Sequence, residues 1–119
     1  MKSIDQHNYV FLYSDKSIDL FNYFNVDHLH GLNRSDCINH VDTHDDCFIA
    51  GLCNLIPYTT NKYFVYVNTL KTQNKFQFIT LMMHEMMHLS FRLNDQQCEE
   101  KLIEFAENET NKFIKIFFK

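Results

Sequence analysis

From Asn8 to Ser14 the chain reads NYVFLYS, a run of aromatic and β-branched residues closed by Ser14-Asp15, which predicts a short strand. The period then changes. Apolar residues at Ile18, Leu20, Phe21 and Phe24 lie on one helical face, with Ser17 as the N-cap and the end near Asn25. Residues 27–46 are polar, rich in His, Asp and Asn, and predict a largely surface loop. Two apolar runs follow, residues 47–56 and 63–67, separated by the turn-forming PYTTNK, and they predict a hairpin. From about Asn74 to Leu93, apolar positions at 76, 79, 82, 83, 86, 87, 89 and 93 predict a helix buried on most sides. Asn94-Asp95 ends it. Asp95 then caps a last helix in which Cys98, Leu102, Phe105, Ala106, Phe113, Ile116 and Phe117 share a face.

Composition narrows the picture further. At 119 residues with 45% hydrophobic composition, the chain suits a single domain, residues 1–119, around one core. A net charge of −4 without any Lys/Arg cluster leaves no footprint for nucleic acid or anionic lipid. No run approaches the roughly 20 apolar residues of a membrane span, and MKSIDQHNYVFLYSD lacks a signal peptide's apolar stretch. The expectation is a cytoplasmic protein. In that compartment Cys37, Cys47, Cys53 and Cys98 are expected as free thiols, the last two as small core residues.

Inside the long helix stands His84-Glu85-Met86-Met87-His88. Histidines four apart on a helix lie one above the other, so both imidazoles can reach one ion, with the Glu beside the first projecting toward its open side. Zinc suits such donors. Water in its open position is acidified to a pKa of about 7, and Glu85 is placed to take the proton, the chemistry of amide hydrolysis. The plainer alternative is a Met-rich packing helix, and Met82, Met83, Met86 and Met87 read as packing residues on other faces than His84 and His88.

A zinc held by two histidines alone would be under-coordinated, so a third protein ligand is expected. Asn94 stands where a metzincin would carry its third histidine, so that class fails. Glu99 and Glu100 follow instead. His88 sits about 7 Å before the end of its helix and Glu99 about 6 Å past the start of the next, so a tight turn at Asn94-Asp95 would level them across an antiparallel pair. Glu99 groups with Leu102, Ile103 and Ala106 and is expected to point inward; Glu100 groups with Glu104 and Glu107 on a wetter face and remains the alternative.

The runs FVYVN, KFQFITLMMHEMMHLSF and EEKLIEFA together resemble the ImmA/IrrE-type metallopeptidases over about residues 47–107. In the matched pattern Ile79-Thr80 precedes the ligands His84 and His88, Glu85 is the base, and Glu99 opens the last motif with Leu102, Phe105 and Ala106. Met87 departs from the family's usual Gly, and Leu102 from its Ala. The resemblance implies an α+β, gluzincin-like (zincin) domain: a short mixed β-sheet packed on the active-site helix and on an antiparallel C-terminal helix, with a peptide substrate added along an edge strand. It also implies a zinc-dependent endopeptidase acting on a peptide or protein partner, such as a regulatory protein.

Oxyanion stabilisation would need a donor upstream of His84, and the candidates are Tyr58 and Tyr63 near the hairpin turn and His40 and His44 in the polar loop. Cys37, His40, His44 and Cys47 are spaced along a single stripe if helical, which cannot wrap one ion, so a second metal there requires an irregular loop. The rival to an enzyme is a non-catalytic interaction or regulatory module built on the same fold.

Overall fold

The computed structural model describes residues 1–94 and 99–118. In chain order these form β1 (Lys2–Asp5), β2 (Tyr9–Ser14), α1 (Ile18–Phe24), β3 (His28–Leu29), β4 (Leu32–Asn33), α2 (Arg34–Ile38), β5 (Gly51–Leu55), β6 (Tyr63–Asn68), a 3-10 turn at Thr69–Lys71, α3 (Lys75–Leu93) and α4 (Glu99–Phe117). The main sheet has the order β1-β2-β6-β5. β2 runs parallel to β6, with Tyr9 opposite Tyr63, while β1 and β5 pair antiparallel to their neighbours. The result is an α+β fold with a mixed sheet, and β5 is one of its edges.

Burial on both faces explains why YVFL and FVYV are unbroken apolar runs and not alternating ones. On one face Tyr9, Phe11, Cys53, Val65 and Val67 meet Phe78, Met82, Met86 and Leu89 of α3 and Ala106 and Phe113 of α4. On the other, Val10, Leu12, Phe64 and Tyr66 meet Leu20 and Phe21 of α1, together with Val26, Leu29, Cys37 and Ile49. The ring of Phe113 stacks on Phe11 with centroids 4.2 Å apart. Such a pair adds about 1 kcal/mol beyond its buried area.

α3 begins where Asn74 accepts a hydrogen bond from the Gln77 N–H at 2.9 Å, an N-cap. Phe78, near the start of α3, packs against Phe117 and Phe118 at the end of the chain, which makes the two helices antiparallel. The Asp95 cap and Cys98 lie outside the described residues.

Several expectations are corrected by tertiary contacts. The segment 27–46 is not a plain loop: β3 and β4 pair through His30-Gly31, both at positive φ, and α2 follows, with Leu29 and Cys37 buried. Ser17 does not cap α1. Its hydroxyl donates to Asp42 Oδ2 at 2.7 Å and accepts from the Ile49 N–H at 2.9 Å. On α3 only Met82 and Met86 of the methionines are fully buried, while Phe76, Met87 and Phe91 are exposed, because the sheet and α4 cover one side of the helix. Ile116 is exposed as well.

Asp42 ties the 27–50 segment to the sheet. Its carboxylate accepts from the Ser17 N–H and hydroxyl, the Phe48 N–H and the Asn68 amide. Burial alone would raise its pKa, but these hydrogen bonds outweigh burial and hold it below the usual carboxylate value. Asp42→Ala strands several buried donors and is expected to lower unfolding free energy by about 3 kcal/mol, read from denaturant midpoints. Because the folded pKa is depressed, the stabilisation is present above the ordinary Asp range and fades as pH falls through the folded value.

Candidate active site

α3 runs along β5 in the same direction. Leu81 and Glu85 lie over Gly51, and Arg92 reaches Cys53 and Asn54 farther along the strand. A Cβ at position 51 would stand 2.8 Å from Leu81 Cδ1 and 3.3 Å from Glu85 Oε1, so a residue without a side chain lets the helix approach this closely. Glu85 is thereby 5% exposed although His84 and His88, on the adjoining side of the helix, face outward.

The two histidines turn their rings toward each other, with Nε2 of His84 and Nε2 of His88 3.2 Å apart. Two imidazole nitrogens bound tetrahedrally at zinc distances of about 2.0–2.1 Å stand about 3.3 Å apart, so this pair already has the spacing of two ligand positions. His84 Nε2 also lies 4.0 Å from Glu85 Oε1. Burial, then the nearby charges of His84 and Arg92, lower the pKa of His88, which favours the neutral ring that metal binding requires. Burial raises Glu85 to about 7, with Arg92 opposing the shift. A carboxyl group with that pKa can both take and return a proton near neutral pH.

Glu99 and Glu100 are both exposed at the start of α4, so the expected inward orientation of Glu99 is not observed. Register accounts for this. With Phe78 beside Phe117, equal rise along both helices brings His88 level with the region of residue 107, leaving Glu99 about 12 Å farther along. Among the described residues no group of three or more His, Cys, Asp or Glu side chains is arranged around one ion. The structure thus brings His84, Glu85 and His88 together and leaves Glu99 and Glu100 apart from them.

Of the proposed oxyanion donors, Tyr58 stands 97% exposed in the hairpin turn, and Tyr63 pairs with Leu55, about 14 Å along β5 from Gly51. His40 bonds the Asp46 carbonyl. His44 alone reaches α3: its Nδ1 donates to the Leu70 carbonyl at 2.6 Å and its Nε2 lies 3.2 Å from Gln77 Nε2. Seven residues separate Gln77 from His84, about 10 Å of helix, so His44 sits at the far end of the groove and not beside the pair. The four residues of the Cys/His run point apart, with Cys37 in the core and the Cys47 thiol donating to the Thr43 carbonyl. Cys37, Cys47 and Cys53 are free thiols.

Beside His84 a groove of about 340 Å³ extends along the first half of α3, lined by Ala50, Lys71, Phe76, Gln77, Thr80 and Leu81. Sequence reasoning missed Phe76, Leu81 and Gly51 as parts of the site. The lone Gly ahead of LCNL was the available signal of close approach. Compared with protein-family models, curated proteins and solved structures, the chain matches none. Among the described residues no helix is long and apolar enough to cross a membrane.

In metal-free protein, burying Glu85 as a carboxylate opposes folding. Its folded pKa lies above the unfolded value near 4.5, so stability should fall as pH rises from that value through about 7 and level off above it. Glu85→Gln removes this dependence and is expected to be more stable than wild type by about 2–3 kcal/mol at pH 8, measured by denaturation in chelator.

Proposed function

We propose that the chain is a zinc-dependent peptidase that hydrolyses a peptide bond in a protein or peptide partner. One observation carries this reading: two imidazole nitrogens at ligand spacing stand beside a buried carboxylate, all on a helix pressed against an edge strand of the sheet. Zinc held by His84 and His88 would polarise the substrate carbonyl and acidify water. Glu85 would take a proton from water held there and pass it to the leaving amine, a role that its pKa near 7 suits. The dry contact with Gly51 and Leu81 keeps the carboxylate from being solvated and levelled. An extended substrate lies along β5, and the groove lined by Phe76, Thr80 and Leu81 takes an apolar side chain.

In the observed helix register His84 and His88 would hold the ion with water in place of a third protein ligand. Glu99, or Glu100 in its place, joins as a third ligand only if the first turns of α4 swing toward the pair. The zincin-like relationship belongs to the same proposal, resting on the motif and on the helix-against-edge arrangement.

A second reading draws on the exposed Phe76, Met87 and Phe91, which flank the histidines on α3 and suit a protein-binding face without chemistry. Metal analysis and a peptide-cleavage assay separate the two. Wild type should bind close to one equivalent of zinc, and His88→Ala should lose it; folded wild-type protein that takes up no added zinc refutes the proposal. Zinc loss in Glu99→Ala would put that residue in the shell, and retention would exclude it. Glu85→Gln should keep zinc while cleavage drops by about 10²-fold or more. Undiminished cleavage would remove Glu85 from its role.

A further inference from the structure

The outer edge of β5 is open over only part of its length. Ala50 accepts from the Asn68 N–H and Ile56 donates to the Lys62 carbonyl, so even-numbered residues of this segment face β6. Gly51, Cys53 and Leu55 therefore turn their backbone groups outward. The far half of that edge is already occupied. Arg92 Nη1 donates to the Cys53 carbonyl at 3.0 Å, the Leu55 N–H donates to its neighbour's side chain, Asn54 Oδ1, and His30 Nε2 lies 3.1 Å from the Leu55 carbonyl. What has no partner among the described residues is the Gly51 N–H, the Gly51 carbonyl and the Cys53 N–H, next to Glu85.

A cation closes this window. Arg92 uses Nη1 for both Cys53 and Asn54, leaving the rest of its guanidinium fork uncommitted, and no carboxylate among the described residues pairs with it. Gly51 to Cys53 spans about 7 Å, the length of two residues in a strand. A chain paired with Gly51 would run into the guanidinium after that distance, where an uncharged chain loses hydrogen bonds and a carboxylate gains a forked partner.

We infer that the β5 edge selects short extended peptides that pair with Gly51 and Cys53 and place a carboxylate on Arg92, about two residues from the bond that Glu85 addresses. Arg92 is then a specificity-determining residue and the stop at one end of the cleft. His30, on the β3–β4 turn, seals the strand beyond it. This rests on reading the site as a peptidase, but substrate docking can be measured without cleavage. The carboxylate has two sources, a peptide C-terminus or an acidic side chain.

The test uses isotope-labelled Glu85→Gln protein titrated with three probes: acetyl-Ala-Leu-Ala-Ala as free acid, the same peptide as C-terminal amide, and acetyl-Ala-Leu-Ala-Asp amide. Amide shifts should centre on Gly51 and Cys53, and a carboxylate-bearing probe should bind at least about tenfold more tightly than the neutral amide. Tight binding of the free acid alone identifies a terminal carboxylate; equal gain from the Asp probe identifies an acidic side chain. Arg92→Gln should erase the preference and Arg92→Lys should keep part of it. Equal affinities for all three probes, or no shift at Gly51 and Cys53, overturn the inference. Carboxylate-dependent binding to a wild-type protein that binds no zinc and cleaves nothing would instead refute the peptidase and leave the docking site standing.

Discussion

α3 can lie directly on the edge of the sheet because position 51 has no side chain, and the buried contact of Glu85 with Gly51 follows from that approach. Move the helix outward by the width of a methyl group and the carboxylate gains water, its pKa falls toward the ordinary range, and the open strand edge no longer lies beside the histidines. The rest of the molecule maintains this approach. Phe78, Met82, Met86 and Leu89 anchor α3 on the inner face of the sheet, α4 backs it, and Asp42 holds the 27–50 segment so that β5 starts where Glu85 needs it. A carboxyl group that titrates near neutrality is thus a packing outcome, set by which helix face meets the strand.

The helix pattern was legible because nineteen residues give five turns of periodicity, and the His84, Glu85, His88 spacing is fixed by helical geometry alone. The hairpin of β5 and β6 was legible too, from two apolar runs around PYTTNK. Elements of two to five residues, β1, β3, β4 and α2, are too short to carry a period, and contacts distant in sequence stabilise them. The parallel pairing of β2 with β6 joins segments some fifty residues apart and leaves no local trace. Glu99 shows the same limit: its helical face could be read, but its height against His88 depends on how Phe78 meets Phe117 at the other end of the helix pair. Likewise Phe76, Met87 and Phe91 have core-like chemistry, and only the docked structure reveals that they face outward.

The proposed chemistry and recognition fall along one line of the molecule. The apolar groove, the histidine pair, the buried carboxylate and Arg92 follow one another along α3, while the adjoining strand edge offers free hydrogen-bonding groups at the middle of that line alone. A long β-strand partner is disfavoured by the two blocked carbonyls, which also protect the edge from pairing with another copy of the chain. An edge left open over two residues would suffice to orient the short peptide proposed above and is too little to drive aggregation.

Zinc K-edge absorption spectroscopy on protein loaded with one equivalent of metal tests the central claim most directly, since it reads the ligand atoms themselves. Zinc on the α3 pair should show two imidazole nitrogens at about 2.0–2.1 Å, a shell completed by oxygen, and loss of the imidazole signature in His84→Ala and His88→Ala. Sulfur scatterers at about 2.3 Å would place the metal on cysteines and contradict the assignment of His84 and His88 as the site.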